Sequence, residues 1–428
     1  MHNQSFDLSL KEISKIEGTA GIDVKVTDGK VEDVKLKLTD YRRFYTNAVR
    51  GKPVNAVPQL VARICGTCSN AHLLASLKAI ELGLNITPSP QTQLMRRLLT
   101  NGLMIRDHGL HLYVFALPDV LGKDSILDFD EANPHEHQLL HDTFTVKQAG
   151  NQLSVAFGGR SVHAPYPTIG GFTHFPSNQD IKISIKQLEE ARPAALFLIK
   201  VFTNCSFNQE DKTLYVSLTH DHYDFLDGLV TTSTSLKISP SEARPHLNRI
   251  DIPYSQGASY TWDNQAFMVG ALSRINLAKT KLHPSTQRDA ASALNFFPST
   301  NIFHNNLAQA IEILHCLDDS LDILRSQTFS PEPLAQSSQA EGQGTGIIEA
   351  PRGLLYHAYD IKDRLVTKAE IIVPTGQNQL SMEKNARQVV EKNLDQEKEI
   401  IALELEKCIR AYDPCISCAT HFLKIRWL

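Results

Sequence analysis

The chain has 428 residues, 42% hydrophobic and 21% charged, a balance that supports a large buried core and excludes a disordered or fibrous chain. Its 43 basic and 47 acidic residues leave a formal net charge of -4, without the clustered Lys and Arg of a nucleic-acid surface. No run approaches the roughly 20 apolar residues of a membrane-spanning helix, and Met1 to Leu10 has no basic-then-apolar leader. The expectation is a cytoplasmic protein with no membrane span.

Thr19 to Leu38 alternates apolar and polar residues around Asp28-Gly29, which predicts a β-hairpin. Pro58 to Leu84 predicts a helix that opens on its proline and carries Cys65 and Cys68. Gln91 to Leu117, Ile181 to Cys205 and Leu307 to Leu324 show helical spacing. Ser330 to Gly346, rich in Ser, Gln, Gly and Pro and without a period, predicts a loop. An apolar run follows from Ile347 to Pro374, strand-like at Ala369 to Val373, and a last helix over Gln388 to Ile409 delivers Cys415 and Cys418. The fold class expected is α+β, predominantly helical with small β-elements, and the chemistry sits near both chain ends.

Seven cysteines, at 65, 68, 205, 316, 408, 415 and 418, are an odd set that argues against a disulfide framework. Four form two C-x-x-C pairs, Cys65 with Cys68 and Cys415 with Cys418. Such a pair brings two thiolates to one metal, and soft thiolates select nickel, zinc or iron–sulfur over magnesium or calcium. The pairs lie 350 residues apart, whereas small zinc modules keep their knuckles close because the metal itself holds the fold. A large fold must bring these sulfurs together, which suits a functional metal. Taken alone, the pairs still fit a non-catalytic four-cysteine zinc or iron–sulfur protein. Cys205, Cys316 and Cys408 have no partner at ligand spacing and read as small buried apolar residues.

The flanking residues narrow the choice. Arg63-Ile-Cys65-Gly66-Thr67-Cys68-Ser-Asn-Ala-His72 fits the pattern R-x-C-G-x-C-x-x-x-H, and Asp413-Pro414-Cys415-Ile-Ser-Cys418-Ala-Thr-His421 fits D-P-C-x-x-C-x-x-H. Around them, in chain order, stand Ser14-Lys-Ile-Glu17-Gly18, Arg106-Asp107-His108, Gly158-Gly159 with Gly170-Gly171, Glu349-Ala-Pro351-Arg352-Gly353 and Pro374-Thr375-Gly-Gln377-Asn378. In these blocks the chain resembles the large, catalytic subunit of the [NiFe]-hydrogenases over nearly its whole length. Phe267 to Arg274 and Asn305 to Glu312 resemble the soluble, cofactor-coupled group of that family.

The resemblance implies a long central helix bundle with small peripheral β-sheets in one large-subunit domain over 1–428. Its parts would be a hairpin region (1–57), a mainly helical body (58–330), a β-containing region with the C-terminal metal motif (331–421) and a cleavable tail (422–428). It implies reversible heterolytic cleavage of H2 at a nickel–iron centre whose iron carries one CO and two cyanides. Cys65 and Cys415 would be terminal nickel ligands and Cys68 and Cys418 the bridges. Four thiolates and two cyanides outweigh Ni(II) and Fe(II), leaving a dianion that is costly to bury unpaired. Arg352 would supply the compensating charge, with Asp107 and Asp413 around it and Pro351 beside it. Thr375 would donate to a cyanide, and His72 would hydrogen-bond a bridging sulfur. Cys415 or Arg352 would take the proton, and Glu17 would pass it outward.

His421 would bind a magnesium-like ion near the C-terminus, although Tyr45 stands where many members have a helping glutamate. Ala164 follows His163 where proline is frequent, a minor departure. No cysteines remain at iron–sulfur spacing, so an iron–sulfur small subunit is an implied partner, with diaphorase-type subunits leading to NAD(P) or a deazaflavin. Nickel chaperones and a maturation endopeptidase, trimming Phe422 to Leu428, are implied as well. Taken singly, Glu17 reads as a surface charge, Arg352 as a partner of Glu349, and Asp413 as a turn residue before Pro414. His72 reads as a core histidine or a zinc ligand, and His108 and His111 as structural. Only the joint pattern gives Glu17, Arg352 and Asp413 a chemical role.

Overall fold

The N-terminal alternation forms a three-stranded antiparallel sheet, β1 (Phe6–Leu10), β2 (Ala20–Thr27) and β3 (Lys30–Leu38), in that order. Asp28 and Gly29 both take left-handed backbone, φ 50° and 71°, giving the two-residue turn whose twist matches the strands it joins. Ile22, Val24 and Val26 of β2 and Val34, Leu36 and Leu38 of β3 are buried, as the alternation demands. The computed structural model describes residues 5–41 and 44–420; His421 and the tail 422–428, with the ion site and trimming expected there, lie outside the described residues.

Helix α1 (Ser69–Gly83) follows the first cysteine pair. The central bundle is α2 (Pro90–Leu110), α3 (Pro134–Gly158), α4 (Asn178–Thr203) and, after the short α5 (Ala271–Ala278), α6 (His304–Ser326). Three of the four match expected helices. The sequence reading passed over α3, whose exposed side carries Phe144 and Val155 among its polar residues and so blurs the apolar stripe. Past Leu110, α2 runs on through a π-helical turn, His111–Ala116, into Leu117–Val120. Short strands between Leu214 and Met268 build a four-stranded sheet and a two-stranded one, with a second apolar cluster around Trp262 and Phe267.

The expected loop over 330–346 ends in a strand. β4 (Gly342–Ala350), β5 (Gly353–Lys362) and β6 (Leu365–Ile372) form an antiparallel sheet in chain order. The alternate glycines of β4 serve close packing rather than flexibility. A Cβ on Gly344 would stand 1.9 Å from Ala79 O, and one on Gly346 2.4 Å from Ala75 O, so the strand lies directly on the α1 backbone.

The single helix expected over 388–409 is two helices, α7 (Pro374–Lys392) and α8 (Lys398–Ala411). The helix expected over 58–84 is also broken, at the cysteine pair itself. The two chain ends join: Glu17 and Cys415 form a parallel bridge, with Ile416 N donating to Glu17 O at 2.9 Å. Among the described residues, no helix is long and apolar enough to cross a membrane.

Candidate metal centre

The first pair sits in a non-helical turn. A short helix (Val57–Val61) and a 3-10 turn (Ala62–Ile64) lead to Cys65, whose backbone is extended (φ -141°, ψ 147°), and Cys68 caps α1. A continuous helix would aim its thiols along its own flank; the extended residue turns Cys65 back so that Cys68 N points at its sulfur, 3.5 Å away. Arg106 Nη2 pins the turn by donating to Thr67 O at 2.6 Å, and Tyr45 donates to Arg63 O at 2.8 Å.

The second pair follows α8. Asp413 takes left-handed backbone, φ 50°, at the helix exit where glycine is usual, so its side chain is kept at a conformational cost. Cys415 is extended, and a four-residue helix, Ile416–Ala419, presents Cys418. Gly18 permits the approach of the N-terminal strand, since a Cβ there would lie 2.9 Å from Ile416 Cβ.

The four sulfurs converge. Cys65 and Cys415 are 3.3 Å apart, Cys68 and Cys418 3.0 Å, and Cys415 and Cys418 3.0 Å; all four are buried free thiols within 4.8 Å of one another. Among the described residues no other group of three or more His, Cys, Asp or Glu side chains is close enough to hold a metal. Hydrogen bonds from Cys415 and the other thiols push the Cys65 pKa well down, while burial pushes Cys415 and Cys418 up.

Arg352 stands beside the sulfurs at the turn between β4 and β5 and is 4% exposed. It donates to both oxygens of Asp107, at 3.0 and 3.3 Å, and to Asp413 at 2.8 Å. Gln309 holds the other Asp413 oxygen at 2.9 Å. Burial opposes the charge on Arg352, but Asp107 and Asp413 more than offset it and raise its pKa well above the usual guanidinium range. The expected alternative partner, Glu349, instead binds Arg274 at 2.8 Å.

Thr375 Oγ1 accepts from Cys415 N at 2.9 Å, which leaves its own hydrogen to donate. His72 Nε2 is 3.6 Å from Cys418 Sγ, and its Nδ1 is 3.1 Å from His357 Nε2. Burial lowers the His72 pKa to about 4, so its ring is neutral near pH 7. Glu17 is no surface charge: its Oε2 accepts from Ser417 N and from the Cys415 thiol, each at 3.1 Å. Burial, with the negative Cys65 nearby, raises the Glu17 pKa above the usual carboxylate value. His108 and His111 bind Glu312 and Gln309 rather than the sulfurs. Cys316 and Cys408 are buried and Cys205 half-buried, none of them in the cluster.

The sequence reading missed His357, Gln309, Ser417 and Arg106 as neighbours of the site. His357 carried a usable signal, a histidine between Leu355 and Tyr359 on the inward face of a strand-like run. The Gln309 and Ser417 contacts depend on which segments meet and leave no local mark.

A thiolate-bound metal fits these residues on three counts. The donor set is four soft sulfurs at ligand-to-ligand spacing. Beside them lies a small cavity of about 10 Å³ lined by Pro351, Arg352, Leu355, Pro374 and Thr375, so the free space at the sulfurs is bordered by the guanidinium and a threonine. Arg352 Nε, buried at this cavity, has no hydrogen-bond partner within the protein, so a donor is ready for an anionic group.

A predominantly helical subunit with a buried four-thiolate pocket under a guanidinium defines a metalloenzyme of the hydrogenase large-subunit fold. The chain belongs to the nickel-dependent hydrogenase family, whose model matches residues 43–143 and 235–421. It is 29% identical to sulfhydrogenase 1 subunit alpha of Pyrococcus furiosus over 99% of this chain and 100% of that one. It is 27% identical to the NAD-reducing hydrogenase HoxS subunit beta of Cupriavidus necator over 97% of this chain and 95% of that one. A solved NAD+-reducing [NiFe]-hydrogenase in its H2-reduced state shares the fold, with a TM-score of 0.87 at 23% identity over 98% of this chain and 100% of that one.

Proposed function

We propose that this hydrogenase subunit cleaves and forms H2 reversibly at a nickel–iron centre held by Cys65, Cys68, Cys415 and Cys418, the iron carrying one CO and two cyanides. The convergence of four sulfurs beside an anion-ready cavity carries the reading. When bound, the centre supplies the site of heterolytic cleavage and accepts the two electrons of H2.

The protein's part is electrostatics and proton handling. Arg352 stays protonated between Asp107 and Asp413, so it compensates the buried dianion, and the base is Cys415 Sγ. From there the proton moves 3.1 Å to Glu17 Oε2, whose raised pKa suits exchange near neutrality. Neutral His72 donates from Nε2 to Cys418, Thr375 donates to a cyanide, and Pro351 closes the apolar side. Water is excluded by Leu355, Pro374 and the buried sulfurs.

The electrons leave through an iron–sulfur small subunit, and diaphorase-type subunits pass them to NAD(P) or a deazaflavin; the relatives named as subunits of larger hydrogenases support this. Nickel chaperones and an endopeptidase acting after His421 load and finish the chain, a magnesium-like ion sits near His421, and the complex works in the cytoplasm. Metal analysis with an H2-dependent dye assay tests the reading. One nickel and one iron per chain with H2-driven reduction are expected; zinc alone, with no H2 turnover, refutes it.

A further inference from the structure

We propose that Arg274, held by Glu312, is a positioning residue that sets where the Arg352 guanidinium stands over the sulfurs; this deepens the hydrogenase reading and rests on it. Arg274 lies on α5, is 1% exposed and does not line the sulfur cavity. A guanidinium has five N–H donors in a fixed fork, and here each has an acceptor. Nε and Nη2 donate to the two oxygens of Glu312 at 2.6 and 2.7 Å. Nη1 donates to Glu349 Oε2 at 2.8 Å and to Ala350 O at 3.1 Å, and Nη2 also donates to Pro351 O at 2.9 Å. Three acceptors therefore belong to the consecutive residues that lead into Arg352.

Glu312 controls the other half of the pair as well. Its Oε2 faces His108 Nε2 at 2.8 Å, and His108 directly follows Asp107, the carboxylate that takes two Arg352 N–H groups. One carboxylate thus holds the backbone that carries Arg352 and the helix turn that carries its counter-ion. The same helix, α6, also supplies Gln309 to Asp413. Both counter-ions of Arg352 are referenced to α6.

Joining a helix to a turn needs no buried ions, and apolar side chains of similar volume do so at lower desolvation cost. What the fork adds is direction. A displacement of the order of 1 Å in a charged group at a reacting site is enough to cost roughly a hundredfold in rate, and this clamp limits such displacement.

The test uses the purified native heteromer. Arg274→Lys keeps the charge but cannot serve five acceptors; Glu312→Gln keeps the shape and removes the charge. We expect H2/D+ exchange per bound nickel to fall roughly tenfold or more in each, with shifted infrared bands from iron-bound cyanide. In an Arg352→Lys background, Arg274→Lys costs less than about twofold, because the group it places is gone. Parent exchange and parent bands in Arg274→Lys overturn the proposal, as does a loss that simply multiplies in the double variant. Variants that load no metal are read by glyoxal labelling with mass mapping. Arg352 then labels faster than in the parent while Arg96, buried in its own pair with Glu81, does not; equal protection of Arg352 overturns the clamp. A parent protein without nickel or cyanide bands refutes the hydrogenase reading instead, and labelling still decides the role of Arg274.

Discussion

Two polar walls face the same four sulfurs and handle charge in opposite ways. On one side Glu17 touches Cys415 with a carboxylate whose pKa burial raises, so a proton can rest there or leave. On the other, Arg352 is locked between Asp107 and Asp413, and its proton is held fast. Arg352 and its two partners are buried, Glu17 is half-buried, and both walls contain carboxylates. Pairing makes the difference: a carboxylate bound to a cation anchors charge, and one bound to a thiol and an amide carries a proton. In the proposed mechanism the mobile proton and the fixed charge therefore belong to different residues around the four sulfurs.

The largest expected effect removes what the walls share. Cys415→Ser is expected to abolish nickel retention and H2/D+ exchange together, measured by metal analysis and mass spectrometry of evolved gas. Next, Glu17→Gln separates proton transfer from assembly: exchange falls roughly 10²–10⁴-fold while nickel content and the infrared bands stay at parent values. If the bands move as well, the two walls are not independent. Asp107→Asn breaks the fixed wall by leaving part of a buried charge unpaired, at a cost of about 3 kcal/mol in chemical denaturation, with exchange reduced less than in Glu17→Gln.

Glu312 sharpens the comparison through acid stability. Burial alone would raise its pKa, but Arg274 and His108 bring it from the ordinary 4.5 to about 2. A depressed carboxylate pKa stabilises the fold above 4.5, and that stabilisation is lost as pH falls toward 2, by roughly 3 kcal/mol. Glu312→Gln is therefore expected to flatten the acid side of the unfolding curve followed by circular dichroism. The smallest effects belong to Cys316→Ala and Cys408→Ala, which should keep full nickel content and lose about 1 kcal/mol of stability.

The walls were unequally legible in the sequence. The N-terminal hairpin and three bundle helices follow from period and turn chemistry, which are local. The cysteine pairs, Glu17, Arg352, Asp107 and Asp413 were legible because each sits in a motif, and the fold joins them into one cluster around the sulfurs. What supports them was not. Gly342 to Gly346 looks like loop composition, and only the α1 backbone lying against the strand explains those glycines. The break at Cys65 is set by the need to aim a thiol, which helical periodicity cannot register. Arg274 and Glu312 lie in segments legible as resembling the soluble group, and their pairing with each other and the hold of Arg274 on residues 349–351 appear only in the fold.

Infrared spectroscopy of the purified complex, in the region where metal-bound CO and cyanide absorb, tests the central claim most directly. The account predicts one CO band and two cyanide bands that shift when H2 is supplied. A silent spectrum from protein carrying a single zinc between the four sulfurs would contradict it.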